Sequence, residues 1–363
     1  NKVQAVALHV DKGLVVGMCG DGGNDCGALR TAHVGVALSE AEASVVSPFT
    51  SKTKSVQSVV DLLREGRGAL ATSFGCFKFM ITYGQLFSVL KLVCFYYGVI
   101  MCEMDYVFID GFCVVVLSYM MTLSHPQPKL NVNRPTSSLL GPATVGSVVG
   151  MQVINLIFMV SALRFMVNNP DYVAWPSKLS PGANWWVLGD NWETTVIFTT
   201  VSLQFVTSAF VFSYGWHYRR PVWYNWMLIL TAAFFYAFIS GLLLGPSTDV
   251  SKWFHIASED FNRNNTDSVI WATYQTQKQT ECLDALCTAS PDPNCATLAV
   301  NVARCAASSP AMSTSFRARL WVLILFGNFC AMIWEAVAIQ GVVYRALRKR
   351  YGAGDGVVPI PII

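Results

Sequence analysis

Six apolar segments constrain this 363-residue chain more than any other feature of its sequence. Only 13% of the residues are charged, whereas soluble domains average about 25%. Each segment is close to the roughly 20 residues that a helix needs to cross a lipid bilayer. The sequence therefore predicts a mainly α-helical polytopic membrane protein, with the lipid bilayer as a partner and with six transmembrane helices at about 73–101, 104–123, 141–163, 192–213, 223–245 and 317–341. The net charge of +3 is small and the basic residues are scattered, so we expect no nucleic acid partner.

The segment that leads into the first apolar stretch has a helical pattern of its own. From Ser55 onward, apolar pairs recur at helical spacing and continue without a break to about Met101. We therefore expect one long helix, in which residues 56–72 form a polar cytosolic stalk and the rest lies in the membrane.

The distribution of basic residues orients the six helices, because cytosolic loops are enriched in Lys and Arg. The loop 246–315 has four basic and seven acidic residues. The loops on the opposite side and the tail instead carry Lys129, Arg134, Arg219, Arg220, Arg345, Arg348, Lys349 and Arg350. We therefore expect residues 1–72 and the tail 345–363 in the cytosol, and the loop 246–315 on the lumenal side.

The loop 246–315 also contains four cysteines and a glycosylation sequence. Cys282, Cys287, Cys295 and Cys305 are an even number on the side where disulfides form, so we expect two disulfides, with three pairings open. A zinc site is the alternative, but the four cysteines have no Cys-x-x-Cys spacing and no histidine close to them in the sequence. Asn264 begins the acceptor sequence Asn-Asn-Thr, on the side where glycans are added.

A glycine-rich stretch with two carboxylates precedes all of the apolar segments. Residues 18–29 read Met-Cys-Gly-Asp-Gly-Gly-Asn-Asp-Cys-Gly-Ala-Leu, between an apolar run at 14–17 and a helical start at 26–32. Glycines allow a close approach of the backbone to a ligand, and the carboxylates of Asp21 and Asp25 suit Mg²⁺ with phosphate oxygens. We expect a buried strand, a magnesium and phosphate loop and a helix, followed by a further strand of a parallel α/β sheet. The alternative is a surface turn.

Residues 18–29 resemble the hinge motif Gly-Asp-Gly-x-Asn-Asp of P-type ATPases. The flanking residues, the run Ser-Glu-Ala-Glu-Ala-Ser at 39–44 and Pro-Phe-Thr-Ser at 48–51 are similar to the type-V group. Cys26 and the run 39–44 favour its subgroup B (P5B). Gly23 and His33 depart from the family pattern, which more often has Ala and Asp there.

The resemblance implies that residues 1–55 are the end of an α/β HAD-like phosphorylation domain. In such domains the residue matching Asp21 holds Mg²⁺, and the residue matching Asn24 contacts an aspartyl phosphate. Lys2 lies nineteen residues before Asp21, which is the spacing of the family's phosphate-contacting lysine. The residue matching Asp25 supports the catalytic site and the metal.

The same resemblance implies a translocase that hydrolyses ATP with Mg²⁺ and moves a polyamine or another organic cation, in a late endosome, lysosome, vacuole or other endomembrane. The family's Asp-Lys-Thr-Gly-Thr and Thr-Gly-Glu-Ser motifs are absent from the sequence. We therefore expect a carboxyl-terminal part, with the amino-terminal part of the same polypeptide as its partner. The alternatives are the subgroup A dislocase of the endoplasmic reticulum, which extracts misinserted helices, a truncated non-catalytic membrane scaffold, and a metal-cation pump.

Three carboxylates lie in or at the outer edge of the second apolar segment, where ionisable groups are costly and usually functional. These are Glu103, Asp105 and Asp110. Glu103 and Asp110 are seven residues apart, so they would share one face of an α-helix at about 10 Å along its axis. Two carboxylates at that separation suit two amines of an extended polyamine.

The preceding apolar segment contributes the other expected residues of the substrate path. Gln85 and Ser88 share one helix face. By resemblance to the P5B helices, Tyr83, Gln85 and Ser88 would line the path. Lys91 stands where relatives usually have an apolar residue. It would either extend outward or pair with Glu103 or Asp105.

Overall fold

The computed structural model describes residues 1–38, 47–131, 135, 138–172, 191–215, 217–257, 312–343 and 345–346. The chain forms two compact units. The first unit contains the described residues of 1–71, 125–135 and 216–220, and the second contains the others. Several sequence expectations fall outside the described residues, namely the run 39–44, Arg134, Asn264, Cys282, Cys287, Cys295, Cys305 and the tail after residue 346.

The first unit contains a parallel sheet of three strands in the order β1 (Gly17–Gly20), β2 (Val34–Ala37) and β3 (Phe49–Thr50). Helix α1 (Lys2–Asp11) precedes β1, and helix α2 (Cys26–Thr31) connects β1 to β2. Neighbouring parallel strands need a crossover of this kind, because a tight hairpin can only join antiparallel ones. The α/β character predicted from the sequence is confirmed.

The start of the sheet differs from the sequence prediction. The run 14–17 predicts a buried strand, but Leu14 and Val15 are 46% and 70% exposed and β1 begins only at Gly17. Gly13 has a φ of +75°, which glycine adopts without steric cost, and it ends the turn after α1. Residues 14–16 then lead the chain to the sheet. Helix α1 was not predicted from the sequence. In the structure, Val6 is the one buried residue among its ten.

Two further segments complete the first unit around the stalk. The backbone N–H of Gln127 donates to the carbonyl of Tyr218 at 3.0 Å. A Cβ at Gly68 would lie 2.9 Å from the Cβ of Pro126, so the stalk helix approaches this segment closely. Arg64 Nη1 on the same helix donates to the carbonyl of Pro128 at 3.3 Å. The segments that follow the second and fourth apolar helices therefore pack together with the stalk.

Six helices among the described residues are long and apolar enough to cross a membrane. Their number agrees with the sequence prediction, and the first is a single helix of 41 residues, as its pattern indicated. We call them spans 1 to 6, in the order Gln57–Tyr97, Glu103–Thr122, Pro142–Val167, Trp192–Phe212, Trp226–Leu244 and Thr314–Val343.

Side-chain caps determine where spans 4, 5 and 6 begin. Asn191, Asn225 and Ser313 each accept a hydrogen bond from the backbone N–H three residues further on, at 2.8, 3.2 and 3.3 Å. Such a cap satisfies a free N–H and stabilises a helix by about 1 kcal/mol. Span 5 therefore begins at Trp226, after the turn Val222–Tyr224, and not at residue 223.

Span 4 is the central helix of the second unit. It is buried along almost its whole length and contacts spans 3, 5 and 6. Trp192, Phe198 and Phe205 are its largest buried side chains. Gln204 Nε2 on this span donates to the backbone carbonyl of Asn155 on span 3 at 2.9 Å. Polar groups at this depth have to find partners within the protein, because lipid offers none.

Two spans contain π-helical segments, a rare form that is often found at functional sites. They are Phe108–Val114 in span 2 and Trp334–Val343 at the end of span 6. The first contains Asp110 and the second contains Glu335. The helix of span 2 is thus wider than an α-helix around Asp110. The α-helical spacing used to align Glu103 with Asp110 does not hold through this span.

Candidate functional site

The glycine-rich loop places polar side chains after the carboxyl end of β1, where α/β sheets bind their ligands. Asp21 directly follows the strand and is exposed. Gly22 is extended, and the 3₁₀ turn Gly23–Asp25 then leads into α2 with Asn24 exposed. The loop therefore presents both the carboxylate of Asp21 and the amide of Asn24 to solvent.

Asp25 differs from Asp21 because it is buried, with 6% of the residue exposed. Its carboxyl group packs directly against Gly20. A Cβ at position 20 would lie 2.6 Å from Asp25 Oδ2, well inside ordinary van der Waals contact. The last residue of β1 is therefore a glycine because the carboxylate of Asp25 occupies the space of a side chain.

Lys2 and Asp25 form an ion pair between α1 and the loop. Lys2 Nζ lies 2.6 Å from Asp25 Oδ1. The hydrogen bond to Asp25 and then the charge of that carboxylate raise the pKa of Lys2, and the charge of Asp21 adds to this. The lysine side chain is 64% exposed. The structure thus brings two of the expected site residues together and leaves a protonated amine at the surface.

Cys19 on β1 belongs to the same electrostatic environment. Partial burial raises the pKa of Cys19, and the negative charges of Asp21 and Asp25 raise it further. A thiol with a raised pKa is protonated at neutral pH and is a weak nucleophile. The two carboxylates of the loop therefore disfavour a thiolate at Cys19.

The oxygen donors of this loop fit a Mg²⁺ ion. Mg²⁺ keeps several waters and commonly takes one or two protein carboxylates together with phosphate oxygens. Asp21 offers an exposed carboxylate, whereas Asp25 already accepts from Lys2. In the part of the chain that the structure describes, no three His, Cys, Asp or Glu side chains are grouped to hold a metal. Asp21 is therefore the exposed carboxylate that this loop would offer to such an ion.

Two residues of the expected substrate path, Tyr83 on span 1 and Asp110 on span 2, contact each other. The hydroxyl of Tyr83 donates to Asp110 Oδ1 at 2.7 Å. Gln85 and Ser88 are exposed on span 1, and the Ser88 hydroxyl donates to the carbonyl of Gly84 at 2.8 Å. An exposed polar strip on a membrane helix is unfavourable against lipid. This face of span 1 therefore requires a polar or protein neighbour.

The other two carboxylates of span 2 have different surroundings from each other. Glu103 is the first residue of the span and is exposed. Asp105 is 2% exposed, although it lies only two residues further on. Asp105 therefore faces the interior of the second unit, while Glu103 and Asp110 are both exposed.

Lys91 makes a contact that the sequence did not indicate. Its ammonium lies 3.8 Å from the ring centroid of Tyr106 and 5.4 Å from that of Phe87. A cation over the face of an aromatic ring within about 6 Å is attracted by the ring. The two sequence interpretations, outward extension and pairing with Glu103 or Asp105, leave out this contact with the rings of spans 1 and 2.

Sequence reasoning missed a buried ionic cluster in the second unit. Lys78 Nζ of span 1 lies 2.9 Å from Glu335 Oε1 of span 6. Ser147 of span 3 accepts from Lys78 at 3.0 Å and donates to Glu335 Oε2 at 2.6 Å. One Lys and one Glu inside apolar segments were the signal that could have found it, because charges in membrane spans usually pair.

Comparison with known proteins gives relatives at moderate identity, while no family model matches the chain. The chain is 36% identical over 272 residues to polyamine-transporting ATPase 13A3 of Homo sapiens. It is 35% identical over 236 residues to probable cation-transporting ATPase 13A5 of Homo sapiens. It is 34% identical over 215 residues to vacuolar cation-transporting ATPase YPK9 of Saccharomyces cerevisiae.

These matches cover a large part of this chain and a small part of each relative. They include 69%, 58% and 59% of this chain, but 22%, 19% and 14% of the three relatives. The chain therefore spans about a fifth or less of the length of these relatives. Identity at this level over more than half of the chain confirms the resemblance seen in residues 18–29. The chain belongs to the P5B (type V, subgroup B) family of P-type ATPases.

Proposed function

We propose that this chain is the carboxyl-terminal part of an ATP-driven polyamine transporter that works through an aspartyl-phosphate intermediate. The observation that carries the proposal is the contact between Tyr83 and Asp110, which joins two membrane spans through an exposed carboxylate. One of the reported relatives, 13A3, is named a polyamine-transporting ATPase, which supports the substrate class. The phosphorylated Asp and the nucleotide-binding domain would belong to the rest of the polypeptide.

On the membrane side, Asp110 would bind an ammonium group of the substrate. The Tyr83 hydroxyl donates to Oδ1 of this carboxylate and orients it, and Oδ2 would accept from the substrate. A hydrogen bond between charged groups is stronger in a membrane domain than in water, because the local dielectric constant is low. Polar contacts along the same path would come from Gln85, Ser88 and Glu103. The buried Asp105 would contribute negative charge from the interior of the second unit.

On the cytosolic side, the loop after β1 would hold the phosphorylated group. Asp21 would hold Mg²⁺, which neutralises charge on the transferring phosphoryl group. The Asn24 amide and the Lys2 ammonium would contact phosphate oxygens. Asp25 would position Lys2 through the 2.6 Å ion pair, and would support the metal site through its negative charge.

The arrangement in the membrane is part of the proposal. Residues 1–55, the stalk 56–72 and the tail 345–363 would face the cytosol, and the loop 246–315 would face a lumen. Polyamine would then move from the lumen to the cytosol. One relative is named a vacuolar ATPase, which supports a late endosomal, lysosomal or vacuolar membrane over the endoplasmic reticulum.

The test is ATPase activity and phosphoenzyme formation of the complete polypeptide in lipid, titrated with spermine, spermidine and divalent metals. We expect Asp110→Asn to keep the phosphoenzyme but to raise the half-maximal polyamine concentration about tenfold or more, because it removes a charged hydrogen-bond partner. We expect Asp21→Asn to abolish Mg²⁺-dependent turnover.

Asp249→Asn is the control, since Asp249 is an exposed carboxylate outside the spans that pairs with Lys252. It should leave both readouts unchanged. A phosphoenzyme that forms normally without any response to polyamines would favour the subgroup A dislocase. Failure to form a phosphoenzyme with Asp21 intact would favour the non-catalytic scaffold.

A further inference from the structure

We propose that the ammonium of Lys91 is a tethered cation that occupies one ammonium position of the polyamine path. By filling that position, Lys91 would select substrates with fewer amines. This inference rests on the proposed function, because it names a substrate preference of the same path.

A row of aromatic rings connects Asp110 with Lys91. Tyr83, whose hydroxyl donates to Asp110, has its ring centroid 5.7 Å from that of Phe87. The Phe87 ring in turn lies 5.9 Å from the ring of Tyr106. The Lys91 ammonium is 3.8 Å from the Tyr106 centroid and 5.4 Å from the Phe87 centroid. We call Tyr83, Phe87 and Tyr106 the aromatic row. It has a carboxylate at one end and an amine at the other.

Such a row has the chemistry of a binding surface for an alkylammonium chain. Aromatic faces attract ammonium groups and also accept the methylene groups between them. The face of Tyr106 is already covered by the ammonium of this chain's own lysine. A second ammonium at the same ring would meet a like charge at short range, where repulsion is strong at low dielectric constant.

The length of the aromatic row makes the repulsion by Lys91 depend on the length of the substrate. The Lys91 ammonium lies 5.4 Å from the Phe87 ring centroid, which is a further 5.7 Å from the ring centroid of Tyr83. A polyamine held at Asp110 and lying along the row would bring a distant ammonium toward Lys91. A short diamine would end before reaching it. Lys91 would therefore disfavour long polyamines much more than short ones.

A simpler role for Lys91 is packing, in which its methylene stem covers the two rings and its charge extends toward water. The two roles differ in what they require of the side chain. A packing role needs the stem alone, and methionine supplies a similar flexible apolar chain. The tethered cation needs the positive charge, which arginine keeps and methionine lacks.

The experiment compares wild type, Lys91→Met and Lys91→Arg in the complete polypeptide reconstituted in lipid. The readout is the half-maximal concentration for ATPase stimulation by putrescine, spermidine and spermine. We expect Lys91→Met to lower the half-maximal concentration of spermine relative to that of putrescine about tenfold. Lys91→Arg should keep the wild-type ratio. Lys252→Met, which removes an exposed lysine outside the spans, should leave the ratio unchanged.

The possible outcomes distinguish the role of Lys91 from the proposed function of the chain as a polyamine transporter. Stimulation by polyamines with the same ratio in wild type and Lys91→Met would overturn the role of Lys91 and leave the transporter intact. A phosphoenzyme that responds to no polyamine in any variant would overturn both. A shift in the ratio that also appears in Lys91→Arg would show that packing, and not charge, sets the preference, and would overturn the inference.

Discussion

The ion pair between Lys2 and Asp25 shows how a carboxylate can be buried in the small first unit. Asp25 is 6% exposed, and a buried carboxylate without a partner would be costly. The lysine that balances it lies on α1, 23 residues earlier, and keeps most of its side chain in solvent. Removing Lys2 would therefore leave the Asp25 charge with less compensation at the base of the loop.

The raised pKa of Lys2 predicts a dependence of stability on pH. Because the folded pKa lies above the usual value of 10.5, the contribution of the pair is complete below that value and is lost as the pH rises through the folded pKa. We expect the difference in Tm between wild type and Lys2→Met to be constant between about pH 7 and pH 9 and to shrink above about pH 10.5.

Lys12→Met is the matched control, because Lys12 is an exposed lysine just after the same helix. Its difference from wild type should not follow pH in this way. A Lys2→Met difference that grows with rising pH would contradict the assignment of the ion pair.

Single residues of the candidate site could be proposed from the sequence where a motif gave their spacing. Asp21, Asn24 and Asp25 were proposed from the motif in residues 18–29. Lys2 was proposed from its spacing to that motif, and the structure adds the contact between Lys2 and Asp25. The place of the Lys91 ammonium was not predictable. A lysine side chain has several rotamers of similar energy, and the ring that selects one of them belongs to Tyr106 on another span.

At the scale of elements, the cluster of Lys78, Ser147 and Glu335 joins spans 1, 3 and 6. Glu335 is 2% exposed and the Lys78 side chain is 15% exposed. Two charges removed from water cost several kcal/mol each, and a close pair with further hydrogen bonds offsets this cost. The π-helical segment that begins at Trp334 contains the glutamate, so the wider helix and the ion pair occur at the same place.

The buried pair predicts a strongly non-additive double-mutant cycle. We expect Lys78→Met and Glu335→Met each to lower the free energy of unfolding by about 3–5 kcal/mol, because each single change leaves a buried polar or charged partner behind. The double variant Lys78→Met/Glu335→Met should cost far less than the sum of the two. Equilibrium unfolding of the complete polypeptide in micelles would measure all three.

The exposed pair of Lys252 and Asp249 offers a comparison, since its side chains are 52% and 92% exposed. Lys252→Met should change the free energy of unfolding by about 1 kcal/mol or less. If the costs at Lys78 and Glu335 simply added, the two residues would be independent and the ion pair would have no energetic role.

Elements were predicted best where the apolar pattern was long. The six spans and the unbroken first helix followed from length and hydropathy alone. The π-helical segments and the start of β1 did not, because they depend on contacts across the fold. Residues 14–16 have the composition of a strand, but the turn at Gly13 keeps them out of the sheet. Asp110 lies within span 2, and the π-helical segment around it replaces the α-helical spacing that was assumed between Glu103 and Asp110.

At the scale of the whole molecule, charge distribution predicts the topology, and a glycosylation assay tests it. The loop 246–315 carries more acidic than basic residues, and it contains the one Asn-x-Ser/Thr sequence of the chain at Asn264. Because basic loops stay in the cytosol, we expect a glycan at Asn264 that is lost in Asn264→Gln, seen as a shift in mass after endoglycosidase treatment. An Asn-x-Thr sequence inserted after residue 346 should stay unmodified. A glycan at the inserted sequence and none at Asn264 would invert the topology, and would place the loop of Asp21 on the side without ATP.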